Sequence, residues 1–235
     1  MIVIPETTIH QSLEKGLNYI KLNYQANIAT PQKSWLYKVL QTEQFQRYNF
    51  FENAKTVFLA KKDNPRKIEC NLFFNLERAH IPTIHVTLPG LTPINNAIGI
   101  GSGFRETDFD IENGEQFEVF NKRQRSTYNI ILTSDNTMEV ILMFNVVYAL
   151  LIALTDHFNL SGIENIQLGG GDIQMDPSIV PTHVFMRAIT FSCEFDFGAP
   201  ALFSTNTINF INEMEDDSSS DSSVVPIYPV GKPIN

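Results

Sequence analysis

The sequence has few cysteines and no clustered metal ligands. Only two cysteines, Cys70 and Cys193, occur in 235 residues, and neither has a second cysteine at the Cys-x-x-Cys spacing of zinc ribbons and redox motifs. The five histidines never stand at the spacings that build a local metal site. They are His10, His80, His85, His157 and His183. A disulfide framework and a local metal site are therefore excluded, and we expect a reducing compartment and no metal or cofactor.

Basic residues are also scarce. The chain has 17 Lys and Arg against 26 Asp and Glu, a formal net charge of −9, so we expect no broad binding to nucleic acid or to an anionic membrane. The one basic cluster, residues 122–125, is too small to hold a duplex by itself. In a ring of subunits it would repeat around the axis. The candidates for lining a lumen or contacting an adjacent ring are therefore Lys122, Arg123 and Arg125. The alternative is that these residues form the solvent-exposed start of a strand.

The apolar runs are too short for a membrane span. The best candidate, residues 140–154, is bounded by Glu139 and Asp156 and falls short of the required length of about 20 residues. The N-terminus has no basic stretch followed by a long apolar region, so it does not predict a secretory signal. We expect a buried helix, no membrane association, and a protein that stays in the cell that makes it.

Catalytic motifs are missing as well. Gly99, Gly101 and Gly103 lack both the Gly-x-Gly-x-x-Gly spacing and the lysine of a phosphate-binding loop. No serine stands in a Gly-x-Ser-x-Gly elbow, and the two cysteines lie in apolar strand patterns that favour inert buried thiols. We therefore expect no enzymatic activity. The alternative is a stand-alone enzyme or small-ligand-binding domain with a site assembled from distant residues. That site would unite His85, Asp172, His183 and Arg187.

A helical region, residues 1–55, opens the chain. Apolar residues at spacings of three and four predict an amphipathic helix over residues 7–29, and Pro31 ends the pattern. A second, aromatic-rich helical pattern covers residues 34–51. It either covers the sheet of its own domain or docks on a neighbouring subunit. In the second case the candidate subunit contacts are Trp35, Tyr37, Phe45, Tyr48 and Phe51.

An α+β domain is predicted over residues 56–212. Its first half should contain a hairpin of residues 56–60 and 67–75 and a half-buried strand over residues 82–88, which Pro89-Gly90 ends. The glycine-rich residues that follow, up to residue 114, predict a long ordered loop.

The second half of this domain contains its central elements. Asn136 and Glu139 form a capping-box-like start to a long buried helix that runs to about His157. Residues 169–172 predict a turn, and residues 183–195 predict the longest strand. The expected fold class is α+β, with an antiparallel or mixed sheet packed on one long buried helix.

The composition changes over residues 213–235. Residues 213–223 are acidic, rich in serine and free of aromatic residues, which predicts a flexible, disordered connection. Residues 224–230 are apolar and proline-spaced, a pattern suited to extended docking in a groove. A frayed terminus is the alternative. Under the docking interpretation Ile227 and Tyr228 are further candidate subunit contacts.

Several short segments of the central domain share a pattern with one family. They are Pro82-Thr-Ile-His-Val86, Ala97-Ile-Gly99, Arg125-Ser-Thr-Tyr128-Asn-Ile-Ile131, Ser134-Asp-Asn136 with Glu139, Ser161-Gly162-Ile163-Glu-Asn165, Gly170-Gly171-Asp172 and His183-Val-Phe-Met-Arg187-Ala-Ile189. Over these segments the chain resembles bacteriophage neck and tail proteins of the tail-terminator, or tail-completion, type.

The resemblance implies a structural virion protein with a sheet flanked by helices. Such a protein forms a ring, commonly a hexamer, at the head–tail junction, where it terminates the tail and joins it to the neck. The implied partners are further copies of the chain, the tail tube or sheath, and neck or portal-adaptor proteins, while DNA would only pass through the lumen. The implied location is the tail or neck of the virion, after assembly in the host cytoplasm.

Two features depart from the short members of this family. The long helical N-terminal region and the acidic C-terminal extension leave another neck, connector or baseplate protein as an alternative. A further alternative is an accessory module that recruits a partner through the acidic tail.

Overall fold

The structure is a computed structural model. It describes residues 4–41, 44–45, 47–60, 64, 66–72, 82–93, 104–110, 115–173 and 184–200. The described residues form two compact units. The larger lies within Val3–Ile94 and Gln124–Phe195, and the smaller includes the described residues of Asn95–Arg123 and residues 196–200.

The described residues form five α-helices and eight strands. The helices are α1 (Pro5–Ala26), α2 (Trp35–Leu40), α3 (Phe50–Phe58), α4 (Thr137–Ala153) and α5 (Thr155–Leu160). The strands are β1 (Gln44–Phe45), β2 (Tyr48–Asn49), β3 (Glu69–Asn71), β4 (Thr83–Pro93), β5 (Phe104–Asp110), β6 (Glu115–Ser134), β7 (Ile163–Asp172) and β8 (Phe185–Pro200).

The main sheet is mixed, as the fold-class prediction allowed. Its strand order is β3-β4-β6-β8-β7. The short β3 pairs parallel with β4, while β4 with β6 and β7 with β8 are antiparallel pairs. In the smaller unit, β5 pairs antiparallel with the first part of β6. The α+β prediction is therefore confirmed.

The core lies between the sheet and the helices. Alternate residues of β6, such as Tyr128, Ile130 and Leu132, are buried together with Phe191 of β8. Phe158 of α5 packs edge-on against Phe191, with ring centroids 5.3 Å apart. The longest apolar helix, α4, supplies much of the rest. Its buried apolar residues are Val140, Leu142, Met143, Val146, Val147, Leu150 and Leu151.

The prediction of an Asn136 cap for α4 is confirmed, but Glu139 does not complete a capping box, because its carboxylate binds Ser134 and Arg66 while the Asn136 N–H donates to the Ser134 hydroxyl. The helix begins directly after Asn136, whose side chain accepts a 2.9 Å hydrogen bond from the Met138 N–H. It ends at Ala153, and the predicted single helix to His157 is instead divided into α4 and α5. Gly162 follows α5 with a φ of 80°, a left-handed conformation that suits glycine at the end of a helix.

The N-terminal helices belong to the larger unit. The predicted boundary between residues 55 and 56 falls inside α3, and α1, α2 and α3 all contact α4. The predicted helix over residues 34–51 is interrupted: α2 stops at Gln41, which has a φ of 49°, and the hairpin of β1 and β2 follows. A positive φ at a non-glycine residue breaks the helical hydrogen-bond pattern.

Three local predictions were wrong. Residues 56–58 are helical rather than part of a hairpin. The β4 strand continues past Pro89 to Pro93 through a register shift between Thr87 and Gly90, because a bulge accommodates a residue that lacks an N–H. Residues 169–172 form part of β7 rather than a turn, paired with Thr190 to Arg187 of β8, and Gly170 is required there by the close approach of Phe144. The predicted tail, residues 213–235, lies outside the described residues.

Candidate interaction surface

Three predicted subunit contacts pack within the chain itself. Phe51 is buried, and the Tyr37 ring meets it edge-on at a centroid distance of 5.1 Å. Tyr24 of α1 contacts the same ring at 6.5 Å. Trp35 is partly buried against the core, and its backbone N–H donates a 2.7 Å hydrogen bond to Asn23 Oδ1. At these positions the aromatic pattern closes the helical layer of its own domain.

Two further predicted contacts lie in the hairpin of β1 and β2, where Phe45 pairs with Tyr48. The Phe45 side chain is 56% exposed. The Tyr48 ring packs against Phe50 with centroids 5.1 Å apart. Burial and, secondarily, the Glu139 carboxylate raise the pKa of Tyr48 to about 12, although Arg66 acts in the opposite direction. Of the two predicted contacts in the hairpin, Phe45 is therefore the one more open to a neighbouring molecule.

The predicted C-terminal contacts Ile227 and Tyr228 lie outside the described residues. In the basic cluster, Arg125 is engaged in an ion pair, with its guanidinium 2.5 Å from Glu194 Oε1. The other carboxylate oxygen of Glu194 accepts a 2.7 Å hydrogen bond from the Asn165 amide. Because Glu194 is buried, its charge needs these partners. Lys122 is exposed and Arg123 is half-buried.

A polar cluster anchors the start of α4. Arg66 Nη2 lies 2.6 Å from Asp135 Oδ1 and 3.2 Å from Glu139 Oε2. The Ser134 hydroxyl donates a hydrogen bond to the same Glu139 carboxylate. Both Ser134 and Glu139 are buried, so this hydroxyl is closed off from any substrate. The cluster therefore ties the chain at Arg66 to the first turn of α4.

Among the residues that the structure describes, the composite ligand site predicted as an alternative is not assembled. Arg187 forms a 2.5 Å ion pair with Asp172 and lies 5.5 Å from the Phe144 ring centroid, on the sheet face that α4 covers. His85 lies two strands away on β4, and its neighbours along the strand are in the core, so its side chain belongs to the opposite face. His183 lies outside the described residues. Within the described ranges, no three His, Cys, Asp or Glu side chains are grouped as metal ligands.

An apolar groove of about 440 Å³ runs between α1 and the end of α4. Its walls include Tyr19, Trp35 and Leu154, with Lys15 and His157 also lining it. The two helices approach closely here because α1 has a glycine at the crossing. A Cβ atom on Gly16 would stand only 2.7 Å from Leu150 Cδ2.

A second pocket, of about 490 Å³, lies between α1 and β3. It is lined by charges of both signs, including Glu14, Lys21, Lys67 and Glu69. Lys21 Nζ donates a 3.1 Å hydrogen bond to the Ala60 carbonyl. Burial, followed by the nearby positive charge of Lys67, lowers the pKa of Lys21. This hydrogen bond holds the residues that follow α3 against α1.

Large apolar side chains are exposed on α1, α4 and α5. On α1, Tyr19 is 52% and Leu22 is 56% exposed. Ile152 near the end of α4 is 55% exposed and Leu160 at the end of α5 is 89% exposed, although neither lines the groove. Exposed apolar side chains that form a patch are typical of protein–protein contact sites. The four exposed side chains of α1, α4 and α5 are together called the α1–α4 surface below.

The sequence predictions missed the α1–α4 surface. The one signal that could have found it is that Tyr19 and Leu22 lie outside the apolar stripe of Ile9, Leu13 and Ile20, which is buried. An amphipathic helix that carries large apolar residues on its polar side has a second surface to cover.

Comparison with known proteins gives no assignment. No protein-family model matches the chain, and no curated protein matches it in sequence. None of the helices in the described ranges combines the length and apolar character needed to cross a membrane.

Proposed function

We propose that this chain is a structural virion protein of a tailed phage. It assembles into a homo-oligomeric ring, a hexamer by family resemblance, at the head–tail junction, where it terminates the tail and joins it to the neck. Its other partners are the tail tube or sheath and the neck or portal-adaptor proteins. The sequence pattern over residues 82–195 suggests this role, and the α+β fold is compatible with it.

The observation that carries the proposal is the α1–α4 surface. Tyr19, Leu22, Ile152 and Leu160 are each more than half exposed, although burying such side chains is worth about 1.5–3 kcal/mol each. A second copy that covers this surface would recover part of that free energy, because three of the four side chains are already about half buried. Closed symmetry would then stop growth at a defined number of subunits.

The sheet edges support the same role. In the part of the chain that the structure describes, β3 and β7 stand at the two ends of the sheet. The β7 strand contains neither lysine nor proline, two devices by which proteins protect an exposed edge, and its one irregularity is a register shift between Glu164 and Gln167. A neighbouring subunit that adds backbone along β7 would satisfy its unpaired N–H and C=O groups.

The polar clusters also fit a structural protein. The carboxylates of Asp135, Glu139, Asp172 and Glu194 are each paired with an arginine of the same chain. These pairs link strands and helix ends, so they serve the stability of the fold. A subunit that acts by occupying the end of a polymer needs no further reactive group.

The oligomeric state of the purified full chain tests the proposal. We expect native mass spectrometry and negative-stain electron microscopy at tens of micromolar to show closed rings, and we expect those rings to bind purified tail tubes. Ile152→Glu should shift the equilibrium toward monomer because it places a charge on the apolar contact. Gln11→Glu, the same charge change at an exposed polar position of α1, is the matched control.

A strictly monomeric chain that binds neither tail tubes nor portal complexes would refute the proposal. Rings that form but bind portal complexes or baseplates instead of tail tubes would favour the alternative of another neck, connector or baseplate protein.

A further inference from the structure

We infer that the apolar groove between α1 and α4 receives the C-terminal segment of a second copy of this chain. Residues 226–229, Pro-Ile-Tyr-Pro, would lie against Tyr19 and Trp35. The inference rests on the proposed function, because it names the surface that binds the C-terminal segment of a neighbouring subunit in the ring.

The spacing of prolines in the segment suits binding in a polyproline II conformation. Pro226 and Pro229 are three residues apart, and a polyproline II helix has three residues per turn, so both rings fall on one side of the segment. Such segments lose little conformational entropy on binding, and the grooves that accept them are lined by aromatic side chains. Ile227 and Tyr228 add apolar area between the two prolines.

The groove has the matching chemistry. Two aromatic residues, Tyr19 and Trp35, line it together with Leu154. The pocket between α1 and β3 is lined by charged, polar and aliphatic residues and by Cys70, and no aromatic residue lines it. Of these two, the apolar groove is therefore the one suited to a proline-spaced peptide.

The dimensions agree as well. On α1 the groove extends from Ser12 to Tyr19, a rise of about 10 Å at 1.5 Å per residue. The Cα atoms of Pro226 and Pro229 would be separated by about 9 Å along a polyproline II helix. The groove volume of about 440 Å³ lies within the range of about 300–1,000 Å³ that is common for binding pockets.

Charge complementarity favours the same pairing. Residues 213–223, which precede the segment, contain Glu213, Glu215, Asp216, Asp217 and Asp221. Lys15 lines the groove, and Lys33 and Lys38 lie within three residues of Trp35 in the sequence, all three lysines being exposed. Opposite charges on the two partners accelerate encounter and fix the orientation of binding.

Trp35 provides a direct readout because it is the one tryptophan of the chain. The acceptor is the full-length chain with Pro226→Ala and Pro229→Ala, so that its own segment does not compete. A synthetic peptide of residues 221–233 is titrated into it. We expect a saturable change in Trp35 emission, which Tyr19→Ala in the acceptor weakens at least tenfold.

Leu22→Ala is the matched control, because Leu22 is about as exposed as Tyr19 on the same helix but does not line the groove. It should leave the peptide affinity within twofold. Equal weakening by both variants, or no emission change with the peptide, would overturn the inference.

Native mass spectrometry of the same variants separates the two proposals. If the segment bridges copies, the double variant Pro226→Ala with Pro229→Ala should raise the dissociation constant of the ring at least tenfold. Tyr19→Ala should raise it by a similar factor. Rings that persist unchanged would refute the arm and leave the ring proposal standing. A monomer that nevertheless binds the peptide would support the groove as the acceptor and refute the ring. A concentration-independent difference in Trp35 emission between the monomeric wild type and the proline variant would mean docking within one chain, which overturns the assignment to a second copy.

Discussion

Glu139 and Glu52 occupy the same position in two helices, the third residue after an asparagine cap. Their environments differ. Glu139 is buried and bound by Arg66 and Ser134, whereas Glu52 is exposed and pairs with Lys55 one turn away. The sequence presents both as similar capping residues, and only the contacts from distant segments distinguish them.

This difference predicts unequal effects of the same substitution. Glu139→Ala should lower the free energy of unfolding by about 1–3 kcal/mol, because it removes hydrogen bonds to a buried charged group. Glu52→Ala, the matched control, should change it by less than about 1 kcal/mol. Urea unfolding of the two variants measures the difference, and equal losses would contradict the structural role of the Arg66 cluster.

The two thiols should be unreactive in the folded chain. Burial raises the pKa of both Cys70 and Cys193 from 9 to about 12. At pH 8 the thiolate fraction, and with it the alkylation rate, should be roughly a thousandfold lower than for an unperturbed thiol. Iodoacetamide labelling followed by mass spectrometry checks this, with the denatured chain as the positive control. Rapid labelling of either cysteine in the native protein would contradict it.

At the scale of elements, the contact between α4 and β7 depends on one glycine. The Phe144 ring packs over Gly170, where a Cβ atom would lie 2.7 Å from the ring and 2.9 Å from the Ala188 carbonyl oxygen. Gly171, the next residue of the strand, has nothing within 4 Å of the corresponding position. Tyr148 Oη adds a 3.4 Å hydrogen bond to the Leu168 carbonyl, which fixes the helix above the strand.

The neighbouring glycines therefore form a matched pair. Gly170→Ala should lower the free energy of unfolding by about 1–3 kcal/mol, because the strand backbone and the ring must shift to make room. Gly171→Ala should stay within about 0.5 kcal/mol of the wild type. Chemical denaturation of both variants gives the comparison, and a neutral Gly170→Ala would show that α4 does not approach β7 this closely.

At the scale of the whole molecule, alkaline pH should destabilise the fold. Burial is the main cause that raises the pKa of Tyr48, Cys70, Tyr128 and Cys193 above their ordinary values. The unfolded chain then releases these protons first, so stability is complete below about pH 9 and falls as the pH rises toward 12. The lowered pKa of Lys21 has the opposite effect on stability at alkaline pH, but it offsets only part of the combined effect of the other four groups.

Urea unfolding between pH 7 and 10.5 tests this expectation. The decline above pH 9 should be shallower in Cys193→Val, which removes one titrating group from the core while keeping a similar shape. An equal decline in the variant would show that the Cys193 thiol does not contribute.

The sequence by itself determined the fold class, the cap of α4, the buried face of α1 and the buried strand that contains Tyr128. These features depend on the local spacing of apolar residues and on helix capping. Both can be recognised in the sequence without knowledge of the elements that pack against them. The division of residues 34–51 into two helices and a hairpin could not be predicted from the sequence, because it depends on the positive φ of a single residue, Gln41.

Only the tertiary structure decided which aromatic residues face outward and which charges are neutralised. Phe51 and Tyr37 pack against each other, while Phe45 and Tyr19 remain exposed. Arg125 pairs with Glu194, which lies 69 residues away along the chain. Burial and pairing of this kind depend on segments far apart in sequence. The physical reason is that a side chain's spacing determines the face it occupies, whereas the element packed against that face determines whether it is covered.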